Sequence, residues 1–262
     1  MQESDTTVNG NGISGYSGCA SSASQCSARF TRFVVPGGLS GYHLYEGGGL
    51  LVIARECEFY GGQIGYANLA MQFTNCLFAR CGISESYGSY QVDSTFYNCT
   101  LWGGSLSLNQ SYYQNNIAIV GCAFDGVSLS ITPSSYYSIF NWDYNAYAST
   151  TTLYPSYNGG HDQLGVTFKW LSSWLGNFYL PTNSPLINTG STTANLLGLY
   201  HFTTQTNQLK ETNSIVDIGY HYVAVDANGV PIDTNGNGIP DYLDDANGNG
   251  LVDSGEIGWL NI

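Results

Sequence analysis

Along the middle of the chain, apolar and polar positions recur around four cysteines, Cys57, Cys76, Cys99 and Cys122, separated by 19, 23 and 23 residues. Their contexts align as "ARECEFYGG", "FTNCLFARC", "FYNCTLWGG" and "IVGCAFDGV". Two residues after each cysteine stand Phe59, Phe78, Leu101 and Phe124. Three before stand Ala54, Phe73, Phe96 and Ile119, and five before stand Val52, Met71, Ser94 and Ile117. Positions −5 and −3 alternate as one inward strand face, and positions 0 and +2 as another. The two sets are out of phase, so the chain must bend between them. Asn75, Asn98 and Gly121 fill position −1, where turn-tolerant residues belong. Glycine follows at Gly61, Gly103 and Gly126, with Arg80 the exception. Two inward-facing strands, a bend and a turn every ~20–25 residues predict one coil of a parallel β-helix. Stacked ~4.8 Å apart, such coils would line the cysteines into one interior ladder and the Phe/Leu residues into another.

This pattern resembles the right-handed β-helix of the pectin-lyase-like superfamily. "FNWDYNAYAS" at 140–149 resembles a long excursion late in such helices, "NFYLPTNSPLINTGS" at 177–191 a recurring phrase near their C-terminal end, and "SIVDIGYHYVA" at 214–224 a closing strand. The resemblance covers roughly residues 45–224 and implies an all-β, right-handed parallel β-helix. The expected organisation is a cap or loop segment over 1–40, the helix over 41–224, and a calcium-binding loop module over 225–262. A cap is expected because an uncovered coil exposes unpaired backbone groups.

The C-terminal module is read from "DTNGNGIPDYLDDANGNGLVDSGE", residues 233–256. Asp233, Asn235, Asn237, Ile239, Asp241 and Asp244 occupy positions 1, 3, 5, 7, 9 and 12 of a calcium loop, with Gly238 at position 6. Asp245, Asn247, Asn249, Leu251, Asp253 and Glu256 repeat those positions, with Gly250 at position 6. Calcium takes six to eight hard oxygens, which such a loop supplies at alternating residues and, at position 7, through a backbone carbonyl. Two Ca2+ sites are therefore expected. No residue separates Asp244 from Asp245, which leaves no room for the helices that flank EF-hand and dockerin loops. The tandem instead resembles thrombospondin type 3 repeats, which implies a calcium-stiffened connector. Asp226 and Asn228 begin a similar phrase that breaks at Val230, and no site is expected there. Extracellular calcium modules bind at roughly 10⁻⁴–10⁻³ M, which favours a secreted or cell-surface location.

Charge narrows the partners. The formal net charge is −13, with six Lys and Arg. A nucleic-acid partner would need a basic stripe, and the sequence has none. No stretch approaches the ~20 apolar residues of a membrane span. The N-terminus lacks the basic and apolar regions of a signal peptide, and the ending "EIGWLNI" reads as part of a longer, multidomain chain. With 43% apolar and 14% aromatic residues the composition is that of a folded, turn-rich β protein.

No catalytic residue is assigned. The lyase and polygalacturonase patterns need clustered basic or acidic groups, and the helix region offers only Arg55, Arg80, Lys169 and Lys210. His161 with Asp162, and Asp143, are isolated candidates; His201 and His221 read as half-buried structural residues. The ladder cysteines read as buried apolar groups, with cross-linking between coils as the alternative, and Cys19 and Cys26 as a loop pair able to form a disulfide. The 21 tyrosines and five tryptophans serve as strand residues or as platforms for sugar rings. Taken together these features lead to a non-catalytic secreted or surface module, adhesin-like, carbohydrate-binding or assembly-forming, with polysaccharide or other copies of itself as partners. Its rivals are a calcium-dependent polysaccharide lyase or glycosidase and a self-assembling fibre subunit.

Overall fold

The computed structural model describes residues 6–9, 13–14, 25–35, 41–45, 51–67, 69–86, 93–109, 115–132, 138–151, 159–256 and 258–260. The chain divides into two compact units, 4–167 and 168–262. The first is a parallel β-solenoid with three sheets. Sheet one stacks Gln25–Arg29, Leu51–Arg55, Ala70–Thr74, Ser94–Tyr97, Asn115–Val120 and Ser138–Asp143. Sheet two stacks Thr6–Asn9, Thr31–Val34, Glu58–Tyr60, Leu77–Ala79, Thr100–Trp102, Ala123–Asp125, Ala146–Ala148 and Gln163–Val166. Sheet three stacks Ile13–Ser14, Tyr42–Tyr45, Gln63–Ala67, Gly82–Ser86, Ser105–Asn109 and Ser128–Thr132. About four regular turns, each contributing one strand to each sheet, carry the cysteine repeat. Among the described residues no helix is long and apolar enough to cross a membrane.

The register is the one the cysteine spacing implies. Val52, Met71, Ser94 and Ile117 face one another across sheet one, as do Ala54, Phe73, Phe96 and Ile119. Phe59, Phe78, Leu101 and Phe124 do the same across sheet two. All of them are buried. Phe33, Phe59 and Phe78 stack nearly coplanar at 4.7 and 5.0 Å between ring centres; Leu101 interrupts the column, and Phe124 resumes it with Tyr147 at 5.1 Å. The third strand of each coil was not expected. Its signal is nonetheless in the chain: positions +7 and +9 after each cysteine continue the alternation, with Ile64, then Ile83 and Glu85, Leu106 and Leu108, and Leu129 and Ile131, all buried.

Each coil turns through left-handed residues. Position −1 has φ of 50° at Glu56, 49° at Asn75, 50° at Asn98 and 69° at Gly121. Position +4 has φ of 65° at Gly61, 58° at Arg80, 63° at Gly103 and 67° at Gly126. Arg80 thus adopts the geometry of the glycines it replaces, with its guanidinium over the Trp102 ring, 5.7 Å from the centroid. A side chain at a left-handed position costs about 1–2 kcal/mol, and the backbone ladder on both sides holds it there.

The ladder cysteines are buried free thiols. Cys76, Cys99 and Cys122 each donate to a carbonyl of the preceding coil, at Ala54, Phe73 and Phe96, over 3.3, 3.7 and 3.4 Å. Contact with the Cys76 thiol, and then burial, push the Cys57 thiol far up. Burial does the same to Cys76 and Cys99, so these thiols lack the thiolate character that reactivity requires. Cys26 is not in a loop: it sits in a strand of sheet one, in register with Val52. Cys19 lies outside the described residues.

The second unit holds two short antiparallel pairs, Leu171–Ser173 with Gly176–Tyr179 and Phe202–Thr203 with Tyr222–Val223, a 3₁₀ helix, Ala194–Leu197, and a four-residue α-helix, Asp241–Asp244. The rest is turn and isolated bridge, held by backbone–backbone and side-chain-to-backbone hydrogen bonds together.

Turn geometry in the solenoid gives a paired prediction. A Cβ at Gly104, where φ is 76°, would collide with the Cys81 carbonyl, and that oxygen already accepts the Ser105 N–H at 3.0 Å. At Gly103 the nearest atom to a new Cβ lies 3.5 Å away. Chemical denaturation should therefore find Gly104→Ala destabilising by more than about 2 kcal/mol and Gly103→Ala by only about 1 kcal/mol.

Candidate metal centre

Both twelve-residue loops fold into the same local pattern. The position-1 carboxylate accepts backbone N–H groups of its own loop: Asp233 from Gly236 and Gly238, both at 2.8 Å, and Asp245 from Asn249 at 3.1 Å and Gly250 at 2.6 Å. At position 3, Asn235 and Asn247 accept the N–H of Asn237 and Asn249, each at 3.0 Å. At position 5, Asn237 and Asn249 accept the N–H of Ile239 and Leu251, each at 2.7 Å. Short Asn and Asp side chains close such turns on their own backbone, which is why the repeat is built from them. A carboxamide oxygen has two lone pairs, so these bonds leave it able to face a cation.

The loops close differently. In the first, Asn235 and Asn237 turn their amide groups toward Asp244 Oδ2 at 3.4 and 2.7 Å, which brings positions 3, 5 and 12 together. Asp241, at position 9, is directed elsewhere: it accepts the Thr234 N–H and hydroxyl, both at 2.6 Å, and Lys210 Nζ at 3.4 Å. In the second loop, Asn247 and Asn249 turn toward position 9 instead, reaching Asp253 Oδ2 at 2.8 and 2.7 Å. Those two hydrogen bonds hold the Asp253 carboxyl below its usual range. Glu256 accepts the N–H of Ala246 and of Asp253 at 3.0 and 2.9 Å. Ile239 and Leu251 are engaged through their N–H groups, as above.

Burial separates the loops further. Asp241, Asp244 and Asp245 are 1%, 3% and 0% exposed, whereas Asp253 lies at the surface. Asp244 Oδ1 is buried and has no hydrogen-bond partner among the described residues. An ionised carboxylate oxygen without a donor costs several kcal/mol inside a protein. Among the described residues no three His, Cys, Asp or Glu side chains form a metal-binding group by themselves; the donors here are carboxylates mixed with carboxamides. Asp233, Asn235, Asn237 and Asp244 fit a hard cation, because all supply oxygen and two carboxylates balance a divalent charge.

Two residues that the repeat does not announce position the loops. His201 Nε2 lies 2.9 Å from Asp245 Oδ2, and Lys210 Nζ bonds Asp241 while lying 5.3 Å from the Trp259 ring centre. They precede the loops by some thirty or forty residues and carry no periodic mark. His201 and His221 are both buried. His221 Nε2 lies 3.3 Å from Glu211, whose neighbour Asp217 accepts the Asn188 N–H at 2.7 Å and the Thr204 hydroxyl. Burial, then the adjacent Glu211 charge, push Asp217 up to about 6.

The isolated histidine candidate is arranged otherwise than its sequence neighbours suggest. In the solenoid, His161 Nδ1 bonds Asp143 Oδ2 at 2.7 Å, and the ring stacks on Tyr144 at 4.4 Å. Partial burial opposes ionisation of Asp143, but hydrogen bonds from His161 and Tyr144 outweigh it and hold its pKa low. Asp162 is a structural acceptor of the Asn145 and Gly159 N–H groups, raised by burial. His161 is exposed, and no third group completes a catalytic arrangement around it among the described residues.

Two measurements follow from this geometry. Asp241 and Asp253 are equivalent in the repeat but not in space. Calorimetric titration with calcium should give two ions for Asp241→Asn and a second site weakened at least about tenfold for Asp253→Asn, since affinity tracks ligand charge; equal losses would contradict the assignment. For Asp217, a raised folded pKa means that its ionisation opposes folding, so the penalty is present above pH 6 and disappears as pH falls toward 4. The neutral Asp217→Asn variant should melt above the wild type at pH 7.5, in saturating calcium, and the gap should narrow at pH 5 and close near pH 4.

Compared with family models, curated proteins and solved structures, the chain matches none of them.

Proposed function

We propose that this chain is a non-catalytic, secreted or cell-surface β-solenoid module whose C-terminal loops take two calcium ions. The observation that carries the reading is the Asp244 carboxylate: buried, facing Asn235 and Asn237, and with one oxygen that has no donor among the described residues. A cation at that point relieves a penalty that no described protein group relieves, and the oxygen-only donor set selects a hard metal such as calcium. The weak affinity usual for loops of this class is matched by extracellular calcium, which supports export. On the finer resemblance, the solenoid is right-handed and pectin-lyase-like, and the tandem loops are thrombospondin type 3-like. The module's role is adhesin-like, carbohydrate-binding or assembly-forming, with polysaccharide or further copies of the chain as partners.

One specific observation favours a second reading, a calcium-dependent polysaccharide lyase or glycosidase. The Asp143–His161 pair presents an imidazole oriented by a carboxylate at the solenoid surface, the arrangement of a general base.

Titration calorimetry with calcium should show two bound ions per chain and a rise in melting temperature that EDTA reverses; a flat titration at millimolar calcium refutes the metal assignment. The non-catalytic claim is checked on a polysaccharide panel in calcium. Release of unsaturated or reducing sugar that His161→Ala abolishes would establish the second reading instead.

A further inference from the structure

Within the second unit the loops are not an appendage. The N–H of Asp241 donates to the Ile232 carbonyl at 2.8 Å, Ile232 to Ala224 at 3.2 Å, and Ala224 to His201 at 3.1 Å. A second path runs from the Tyr200 N–H to the Gly248 carbonyl at 3.1 Å. Gly248 and Gly250 lie so close to the Gly198 carbonyl and the Tyr200 ring that neither could carry a side chain without displacing them. Tyr242, on the short helix, packs edge-on to Phe202 at 6.3 Å, and Trp259 packs on His201 at 4.8 Å. The loops therefore share backbone hydrogen bonds and buried rings with residues 199–232.

The charges at the same place do not balance. Asp241 and Asp245, both buried, face Lys210 and His201, whereas the buried Asp244 faces the Asn235 and Asn237 amide groups. Even with His201 protonated, two cationic groups stand beside three buried acidic ones, and among the described residues Asp244 is the one without a cationic partner. A buried charge whose partner is missing is strongly destabilising, and a folded unit of this size has little stability to spare. The helix Asp241–Asp244 is too short to hold itself, so its position depends on what it packs against and what neutralises it.

We infer that the divalent ion held by Asp233, Asn235, Asn237 and Asp244 is the folding lock of the whole 168–260 unit, ordering Phe202, Ala224 and Ile232 as well as the loops themselves. This rests on the calcium reading and goes beyond it: the loops are the closing piece of a metal-dependent domain rather than a separate spacer. Occupancy seats the helix, the helix seats Asp245 against His201, and the hydrogen-bonded path through Ile232 and Ala224 closes behind it. Removing calcium then opens the unit as one body, because ion binding and ordering are a single equilibrium.

Hydrogen exchange of the full chain in calcium and in EDTA tests this, read at the Phe202, Glu211, Ala224, Ile232 and Asp241 amides. The backbone carbonyls those amides bond to are Leu199, Phe202, His201, Ala224 and Ile232. At calcium about 100 times its Kd, protection at all five should exceed that in EDTA by about 100-fold, while solenoid amides such as Leu77 and Thr100 stay unchanged. A change confined to 233–256, with Phe202 and Ala224 exchanging equally in both conditions, overturns the lock while leaving calcium binding intact. No change at any amide overturns the calcium reading and the lock with it. Asp244→Asn, which neutralises the unpaired carboxylate, should keep the five amides protected in EDTA, with calcium adding less protection than it adds to the wild type because only the second loop's ion remains; exchange in this variant as fast as in the chelated wild type also counts against the lock.

Discussion

The solenoid depends on the in-register backbone ladder between coils. Parallel strands must repeat their hydrogen bonds at a fixed spacing, so each interior position in one coil meets the same position in the next. That constraint turns a one-dimensional repeat of cysteine and phenylalanine into columns, and it sets the cost of every irregularity. Arg80 and Glu56 occupy left-handed positions because the bonds above and below leave them no alternative. The thiols find partners in the preceding coil for the same reason: the carbonyl three residues before each neighbouring cysteine is always within reach. Small side chains suit this corner, since a larger one would have to be accommodated in every coil it touched.

The second unit answers a different constraint. It has little regular structure, and side chains join backbone bonds in holding its turns: Asp217 on Asn188, Asp226 on Asn228 and Val230, Asp233 on Gly236 and Gly238. Carboxylates are effective acceptors for several N–H groups at once, but each brings a charge that burial penalises. The unit handles those charges in three ways. Asp217 and Glu211 sit against His221, with Asp217 raised toward neutrality. Asp241 uses Lys210 and Thr234. Asp244 has neither, and it is the residue at which an ion enters the proposed function.

Much of the solenoid was legible because its interior is periodic. The −5, −3, 0 and +2 columns follow directly from alternation about each cysteine, and the left-handed corner follows from Asn and Gly at position −1. The third sheet was harder to read, since Ser, Tyr and Glu in those strands dilute the alternation, although +7 and +9 carry it. The loops were legible as loops, because the Asp, Asn and Gly spacing that closes an Asx turn is local. Asp143 and His161 were both visible, but not as partners, since the chain between them returns through another coil.

What the sequence determined alone is whatever repeats or closes locally: the coil register, the thiol column, and twelve loop residues placed by number. Tertiary structure decided which of those twelve side chains meet one another. Asp241 and Asp253 stand at the same place in the repeat, yet only Asp253 turns to its own loop's asparagines, because Lys210 and Thr234 compete for Asp241. Burial also decided that Asp244 carries the unmatched charge and that His201 meets Asp245. Such facts depend on which distant residues exclude water around a carboxylate, and no spacing along a single chain encodes that.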